Sequence, residues 1–408
     1  MSEPSQPNLY LTRRHWLALA ASAVSGCGGG SGVSTASLPG TGGTGYTQGS
    51  ISGFGSVFVN GVEFDDVMAS ANGSIQIDGV TVTSDYLRLG MVAGVQSERG
   101  VDPAPPTVRR IDVWSIAQGS VLQIPRVIQR IQRTDGTFAE SAEFTVAGMT
   151  VQTDPNTSFY GVAFASDLMP NQVVMVWGLQ AGTDGAHWTA TRVEVRPMGM
   201  AMNMVSTGVV YVSGSQRLLN GLSLSGSTAG TLTVGALVRV QGTWSPASNS
   251  LAVEHSKLLG SGLVFQPPGH DEIEVEIEGF VTDTPTASGF MLGNIVVDAS
   301  AIAPISTEVK KGARVEVHGT WQSGVLKATE VELETEQTLQ TVELKGVMDS
   351  FVSKAEFWVR GQRCDATGIT KVEHGTLADL KQGVEVKLRG SKAGDVVMVT
   401  ELEIVVDD

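Results

Sequence analysis

Methionine is the one residue type in this chain whose spacing alone suggests chemistry. Met198, Met200, Met202 and Met204 alternate through Pro197 to Val205. On an extended strand that period puts four thioethers on one face. Thioethers are soft ligands suited to Cu(I). The same pattern would serve an interdomain strand burying an adaptable apolar face. The remaining candidates are dispersed. Apart from His15, the histidines are His187, His255, His270, His318 and His374, spread over most of the chain. No His-Glu-x-x-His pair, Gly-x-Ser-x-Gly elbow or phosphate-binding loop accompanies them. The expectation is therefore a non-catalytic protein without a cofactor, with Cu(I) binding as one alternative and an envelope enzyme as a less favoured one. Trp177, Trp244, Trp321 and Trp358 lie on or just past strand-like runs. There they could stack sugars or peptides, or pack the rim of a core. Asp65, Asp298 and Asp365 recur near the ends of middle strands, where a carboxylate caps a turn.

The elements that would position these residues come from one repeated pattern, Gly-x-x-Val-x-Val-x-Gly. Clear copies run Gly235 to Gly242, Gly312 to Gly319 and Gly383 to Gly390, with weaker ones at Gly90 to Ser97 and Asn171 to Gly178. A return at roughly 65–80 residues means one small unit in tandem, not one large enzyme fold. The alternation puts Val238 and Val240, Val315 and Val317, and Val386 and Leu388 inward. His318 then occupies the outward position taken by Gln241 and Arg389 in its siblings, and is expected at the surface. A second strand-like run follows each signature, and two copies share Gly-Thr-Trp, at Gly242-Thr243-Trp244 and Gly319-Thr320-Trp321. Alternation around Asn60-Gly61 is the best hairpin signal in the chain. Val121 to Arg133 reads as an inserted hairpin. Cys364, on a strand, is expected to be a small buried hydrophobe.

Gly is abundant at 49 residues and only 17% of the chain is charged, which suits short strands and tight turns over long helices. The net charge of −15 argues against nucleic acid and against docking on anionic lipid headgroups.

At the amino end, Thr12-Arg13-Arg14-His15-Trp16 precedes the apolar Leu17 to Val24, which is too short to span a bilayer as a helix. A basic region, a short apolar region and small residues describe an export signal. Arg13-Arg14 fits either a plain basic region or a twin-arginine signal. Val24-Ser25-Gly26-Cys27 resembles the bacterial lipobox. The resemblance implies that Cys27 carries the lipid, palmitate included, and anchors the chain in the cell envelope. Gly28 after the Cys favours, by analogy, the outer membrane facing the periplasm. The Gly, Ser and Thr run that follows reads as a flexible tether.

Gly53-Phe54-Gly55-Ser56-Val57-Phe58-Val59-Asn60-Gly61-Val62-Glu63-Phe64-Asp65, followed by Leu87-Arg88-Leu89-Gly90-Met91-Val92, resembles an uncharacterised repeat domain of bacterial lipoproteins, a domain of unknown function in tandem copies. That resemblance carries no activity. The expected organisation is a signal peptide over 1–26, a tether over 27–48, and repeats over 49–115, 116–196, 207–260, 275–336 and 342–408. Five or so short strands bent by Gly close most easily as a small barrel. The fold class is all-β: tandem OB-like barrels, with SH3-like barrels or small sandwiches as alternatives. Units this small should pack on their neighbours. The expected function is a lipid-anchored binding or scaffold module, with the membrane as one partner and an envelope glycan or protein as another.

Overall fold

Val-rich alternation gives each signature segment one dry face, and the chain rolls that face inward five times. The computed structural model describes residues 45–98, 104–132, 138–182, 185–200, 202–259, 273–335 and 341–405. The signal region, Cys27, most of the tether and His270 lie outside the described residues. The first strand begins at Gly45, four residues inside the span expected for the tether, with Tyr46, Thr47 and Gln48 buried.

Repeat 5 shows the plan. Thr341–Ser353 opens the barrel, Glu356–Val359 and Gln362–Asp365 form a hairpin, Glu385–Ala393 is the signature strand, and Val396–Ile404 returns. The opening strand pairs antiparallel with both the second and the signature strand. The third strand runs parallel to the return strand, which closes on the signature strand. The ring order 1-2-3-5-4-1, with a parallel third and fifth strand, is that of an OB-type barrel. The other repeats follow it. Single bridges at Asp65–Thr107, Val121–Val146 and Val281–Leu292 complete the rings of repeats 1, 2 and 4. A short helical turn lies between the third and fourth strands of every copy: Val67–Ala71, Ala165–Asp167, Ser227–Thr231, Ser300–Ile302 and Leu377–Asp379. In repeat 2, Arg126–Gln132 adds an exposed strand against Phe138–Val146, so the inserted segment projects from the barrel.

Both signature glycines have a physical reason. The first enters the fourth strand with φ between +80° and +89° at Gly90, Gly235, Gly312 and Gly383, and Asn171 takes the same region in repeat 2. That left-handed region is open to Gly and, among other residues, best tolerated by Asn. The last glycine sits at a β-bulge against the return strand, which lies between Gln241 and Gly242, His318 and Gly319, Arg389 and Gly390, and Trp177 and Gly178. A Cβ at Gly242, Gly319 or Gly390 would collide with the backbone carbonyl of Ala252, Lys327 or Met398. The bulge bends the strand around the barrel. The hairpin turns Asn60-Gly61, Asn220-Gly221 and Arg360-Gly361 each put two successive residues at positive φ, the geometry of tight two-residue β-turns.

The barrels are not separate beads. The opening strand of repeat 1 runs parallel to those of repeat 4 (Gly45–Gln48 beside Glu274–Ile277) and repeat 5 (Gly53 and Phe54 beside Glu343 and Leu344). The sheets of repeats 1, 4 and 5 therefore merge, and those of repeats 2 and 3 join at Gln118 and Val205. Core residues of repeats 1 and 5 form one cluster, which also takes in Trp177 of repeat 2. The described residues all fall within one compact unit. The Gly390→Ala variant is expected to lose about 2–4 kcal/mol of stability in urea unfolding, through the forced shift of the return strand. Ser97→Gly, at the matching bulge of repeat 1, should stay within about 1 kcal/mol of the parent.

Candidate functional site

The second and third strands of repeat 5 carry an open face beside a groove. Alternation turns Phe357, Val359 and Cys364 into the barrel and leaves Glu356, Trp358 and Arg363 facing out. Trp358 stands directly opposite Arg363 across the hairpin. The turn before the return strand adds Asp395, and Arg363 lies 3.7 Å from Glu356 and 3.8 Å from Asp395. Burial raises the Asp395 carboxyl above its ordinary range despite Arg363. Phe159, Tyr160 and Gly161, from the end of the third strand of repeat 2, form the opposite wall of a cavity of about 390 Å³. Trp358, Tyr160 and Gly361 also border a larger open groove of about 1070 Å³, with Arg88, Arg360 and Asp85 on its far side. Arg360 lies 3.1 Å from Asp85, and its guanidinium sits 4.7 Å from the centre of the Phe54 ring. Burial, then the neighbouring Arg192, pushes the Arg88 guanidinium below its ordinary range. The arrangement offers two aromatic faces with donors and acceptors of both signs between them. Among the described residues lining it, no hydroxyl or thiol is hydrogen-bonded to a base.

Several outward strand faces elsewhere are closed by neighbouring barrels, and polar residues line these seams. Arg239 of repeat 3 donates from Nη2 to Asp78 Oδ1 (2.7 Å) and from Nε to the Ser115 carbonyl (2.7 Å). Arg192 of repeat 2 donates to Glu194 (2.6 Å) and to the Leu89 carbonyl of repeat 1 (2.9 Å). Arg314 of repeat 4 holds Glu278 (2.6 Å), whose other oxygen accepts the Ser50 backbone N–H of repeat 1 (2.7 Å). Lys392 of repeat 5 donates to Ser158 Oγ of repeat 2 (2.8 Å) and to the Asn156 carbonyl. Full burial pushes the Lys392 ammonium down to about 7, against the opposing pull of Asp154.

A second charged group lies between repeats 1 and 4. Glu276 stands opposite His318 on adjacent strands, and Glu316 is two residues before His318 on the same face. Glu316 Oε1 lies 2.8 Å from His318 Nε2 and Glu276 Oε2 lies 3.7 Å from Nδ1. All three are at least nine-tenths buried, at 6% (Glu276), 5% (Glu316) and 7% (His318) exposure. Their ligand atoms gather within 4.8 Å of one another. Burial, then the adjacent Glu316, raises the Glu276 carboxyl well above its usual range. For His318, burial opposes protonation, but the Glu316 hydrogen bond and charge outweigh it and raise the imidazole.

These placements correct several expectations. His318 faces out of its barrel as expected, yet it is buried, because repeat 1 covers that face. Trp177 holds the corresponding outward position in repeat 2 and is fully buried against repeat 1, so no ligand can stack on it. Trp244 and Trp321 pack against the cores of their own barrels. Of the four tryptophans, Trp358 alone lines the groove described above. The methionines do not share a strand face. Met198–Met200 is a helical turn, the strand starts only at Asn203, and Met204 turns into the core while Met198 is 73% exposed. Pro197 accepts the Met200 N–H through its carbonyl, which breaks the extended run. Asp65, Asp298 and Asp365 each accept the backbone N–H two residues on, from Val67, Ser300 and Thr367. That is the turn-capping role. Cys364 is buried in the core, and burial pushes its thiol up. The sequence pattern did not single out Tyr160, Arg88, Arg360, Glu276 or Glu316. Their roles depend on which repeats touch.

The class is thus a tandem OB-type barrel protein with one open aromatic face. The family model Domain of unknown function (DUF5666) matches three segments of the chain, residues 130–194, 278–332 and 345–402. These spans fall in repeats 2, 4 and 5. Repeats 1 and 3 share the strand order but lie outside the matched segments. No curated protein and no solved structure matches the chain.

The Lys392 ammonium generates a pH test. Its folded pKa lies below its unfolded value, so between about pH 7 and 10 the unfolded chain binds one proton more, and stability should rise with pH by at most about 1.4 kcal/mol per unit. Below about pH 7 the penalty on the folded state is complete. Urea midpoints at pH 7 and pH 9 should show a steeper rise in the parent than in Lys392→Met, in which burial still holds the Lys257 ammonium down at about 8.

Proposed function

We propose that this is an exported cell-envelope protein, anchored by lipid at Cys27 and facing the periplasm from the outer membrane, that binds an envelope glycan without catalysis. The observation that carries the binding role is the groove between Trp358 of repeat 5 and Tyr160 of repeat 2. In OB-type barrels generally, the face of strands two and three, with the turn joining strands four and five, is the surface that takes oligosaccharides or oligonucleotides. The net charge of −15 disfavours the nucleic acid. A hydroxyl-rich ligand suits the lining better. Trp358 and Tyr160 offer apolar faces to sugar rings. Glu356, Arg363 and Asp395 supply acceptors and donors to the ring hydroxyls. The other four barrels, tied by parallel strands and buried ion pairs, act as the scaffold that holds the groove.

The anchor rests on Val24-Ser25-Gly26-Cys27 and the Gly, Ser and Thr run after it. Cys27→Ser should abolish incorporation of a palmitate analogue and release the protein from the membrane fraction. The binding role is tested on an envelope-glycan array with the full chain. Trp358→Ala should weaken the strongest glycan signal about tenfold, the equivalent of 1.4 kcal/mol. Absence of any glycan signal in the parent, or an unchanged signal in the variant, overturns the reading. Binding to peptides alone would assign the groove to a protein partner.

A further inference from the structure

The seam between repeats 1 and 4 gathers two buried glutamates of repeat 4 around one imidazole. The ion pairs of Glu276 and Glu316, among the described residues, run to His318 alone. Arg314, on the same strand face, is committed to Glu278. Two carboxylates therefore share one imidazole inside the protein, and Glu332 presses on them from the next strand. Two polar atoms at this seam have no hydrogen-bond partner: Glu276 Oε1 and Asn60 Oδ1. Both side chains are more than nine-tenths buried, Glu276 at 6% and Asn60 at 8% exposure. Asn60 is the tip of the repeat 1 hairpin. Its amide donates to the Gln48 carbonyl and sits beside the Glu276 carboxyl. A buried carboxylate oxygen without a donor is costly unless something positive meets it.

We propose that Glu276, Glu316 and His318 form a binding site for a divalent cation of the zinc class within repeat 4, beneath the Asn60 hairpin of repeat 1. The donor set is one imidazole nitrogen and two carboxylate oxygens. Imidazole selects zinc and its borderline neighbours over calcium and magnesium, which prefer oxygen throughout. The ligands stand on two paired strands of a closed barrel, so they are already positioned in the fold. Glu274 is exposed, and Glu330 and Glu332 are half-buried on the same face, so the rim is acidic and draws cations inward. The site is distinct from the Trp358 groove and does not depend on it.

The test uses the purified full chain, stripped with a chelator and titrated with zinc chloride in competition with a chromophoric chelator. One zinc per chain is expected, and it should raise the melting temperature of the parent. His318→Gln should weaken binding about 100-fold or more. Because His318→Gln could disturb folding, Glu276→Gln is the second variant. It keeps the shape and should lose both the binding and the zinc-dependent rise in melting temperature, while its chelated form shows the parent's β-rich circular dichroism. His374→Gln, at the exposed His374–Glu403 pair, is the control and should bind zinc as the parent does. X-ray absorption of the loaded protein should show oxygen and nitrogen ligands with imidazole scattering. The proposal fails if the parent takes up no stoichiometric zinc, or if folded Glu276→Gln binds it unchanged.

Discussion

The constraint on which the rest depends is that the barrels share their opening strands. Once the strand of repeat 1 runs beside those of repeats 4 and 5, the outer faces of these small barrels cannot all reach water. Where two barrels meet, a residue that faces away from one core faces the other barrel. Buried side chains there must be apolar, paired or fully hydrogen-bonded. All three solutions occur. Trp177 fills its seam with apolar volume. Arg192, Arg239 and Arg314 thread theirs with charge-assisted hydrogen bonds across the repeat boundary, to the Leu89 and Ser115 carbonyls, the Asp78 carboxylate and the Ser50 hydroxyl. The seams lined by charge fix register, since a shift of one residue would strand each guanidinium without its acceptor. Whether such pairs add net stability is a separate matter, because desolvation offsets much of the attraction.

This explains which parts of the fold were legible in the sequence. Inward positions of the signature strand were readable because a barrel interior demands the same residue shape in each copy. The bulge glycine was readable for the same reason: the carbonyl of the return strand lies where a Cβ would sit. Asn171 could replace the first glycine because Asn tolerates positive φ, and Ser97 could replace the last in repeat 1. Outward positions obey no such common rule. Position seven of the signature is Gln96, Trp177, Gln241, His318 and Arg389 in turn, and each suits a different neighbour. Arg389 is half-exposed beside Glu343, while His318 is buried. Alternation tells which way a side chain points, not what stands in front of it. Many contacts joining the repeats span well over a hundred residues in sequence, as between Ser115 and Arg239 or Ser50 and Arg314. No local pattern encodes them.

The methionine segment failed as a site for a related reason. Period two was read as a strand, but Pro197 and Gly199 favour a turn, and the carbonyl of Pro197 closes it on Met200. The strand resumes only where Asn203 pairs with Thr243 of the signature strand. Pairing partners, not side-chain period, decided where the extended backbone begins.

Of the five copies, repeat 5 is the one whose hairpin combines an outward tryptophan with a cavity. The corresponding hairpins of other repeats are spent on packing. In repeat 1 the Asn60 tip covers the outer face of repeat 4, and the repeat 2 tip at Gly148 abuts Asn220 of repeat 3. In repeat 4, Asn294 accepts from Gln180 of repeat 2. The same loop in repeat 5 leans on Arg88 of repeat 1 at Gly361, and this contact holds the hairpin so that Trp358 faces Tyr160 across open space. Copies that are nearly equivalent in their cores thus divide into scaffold and site by what their outer faces meet. Because Tyr160 belongs to repeat 2, Arg88 to repeat 1 and Trp358 to repeat 5, no single repeat could build the groove alone.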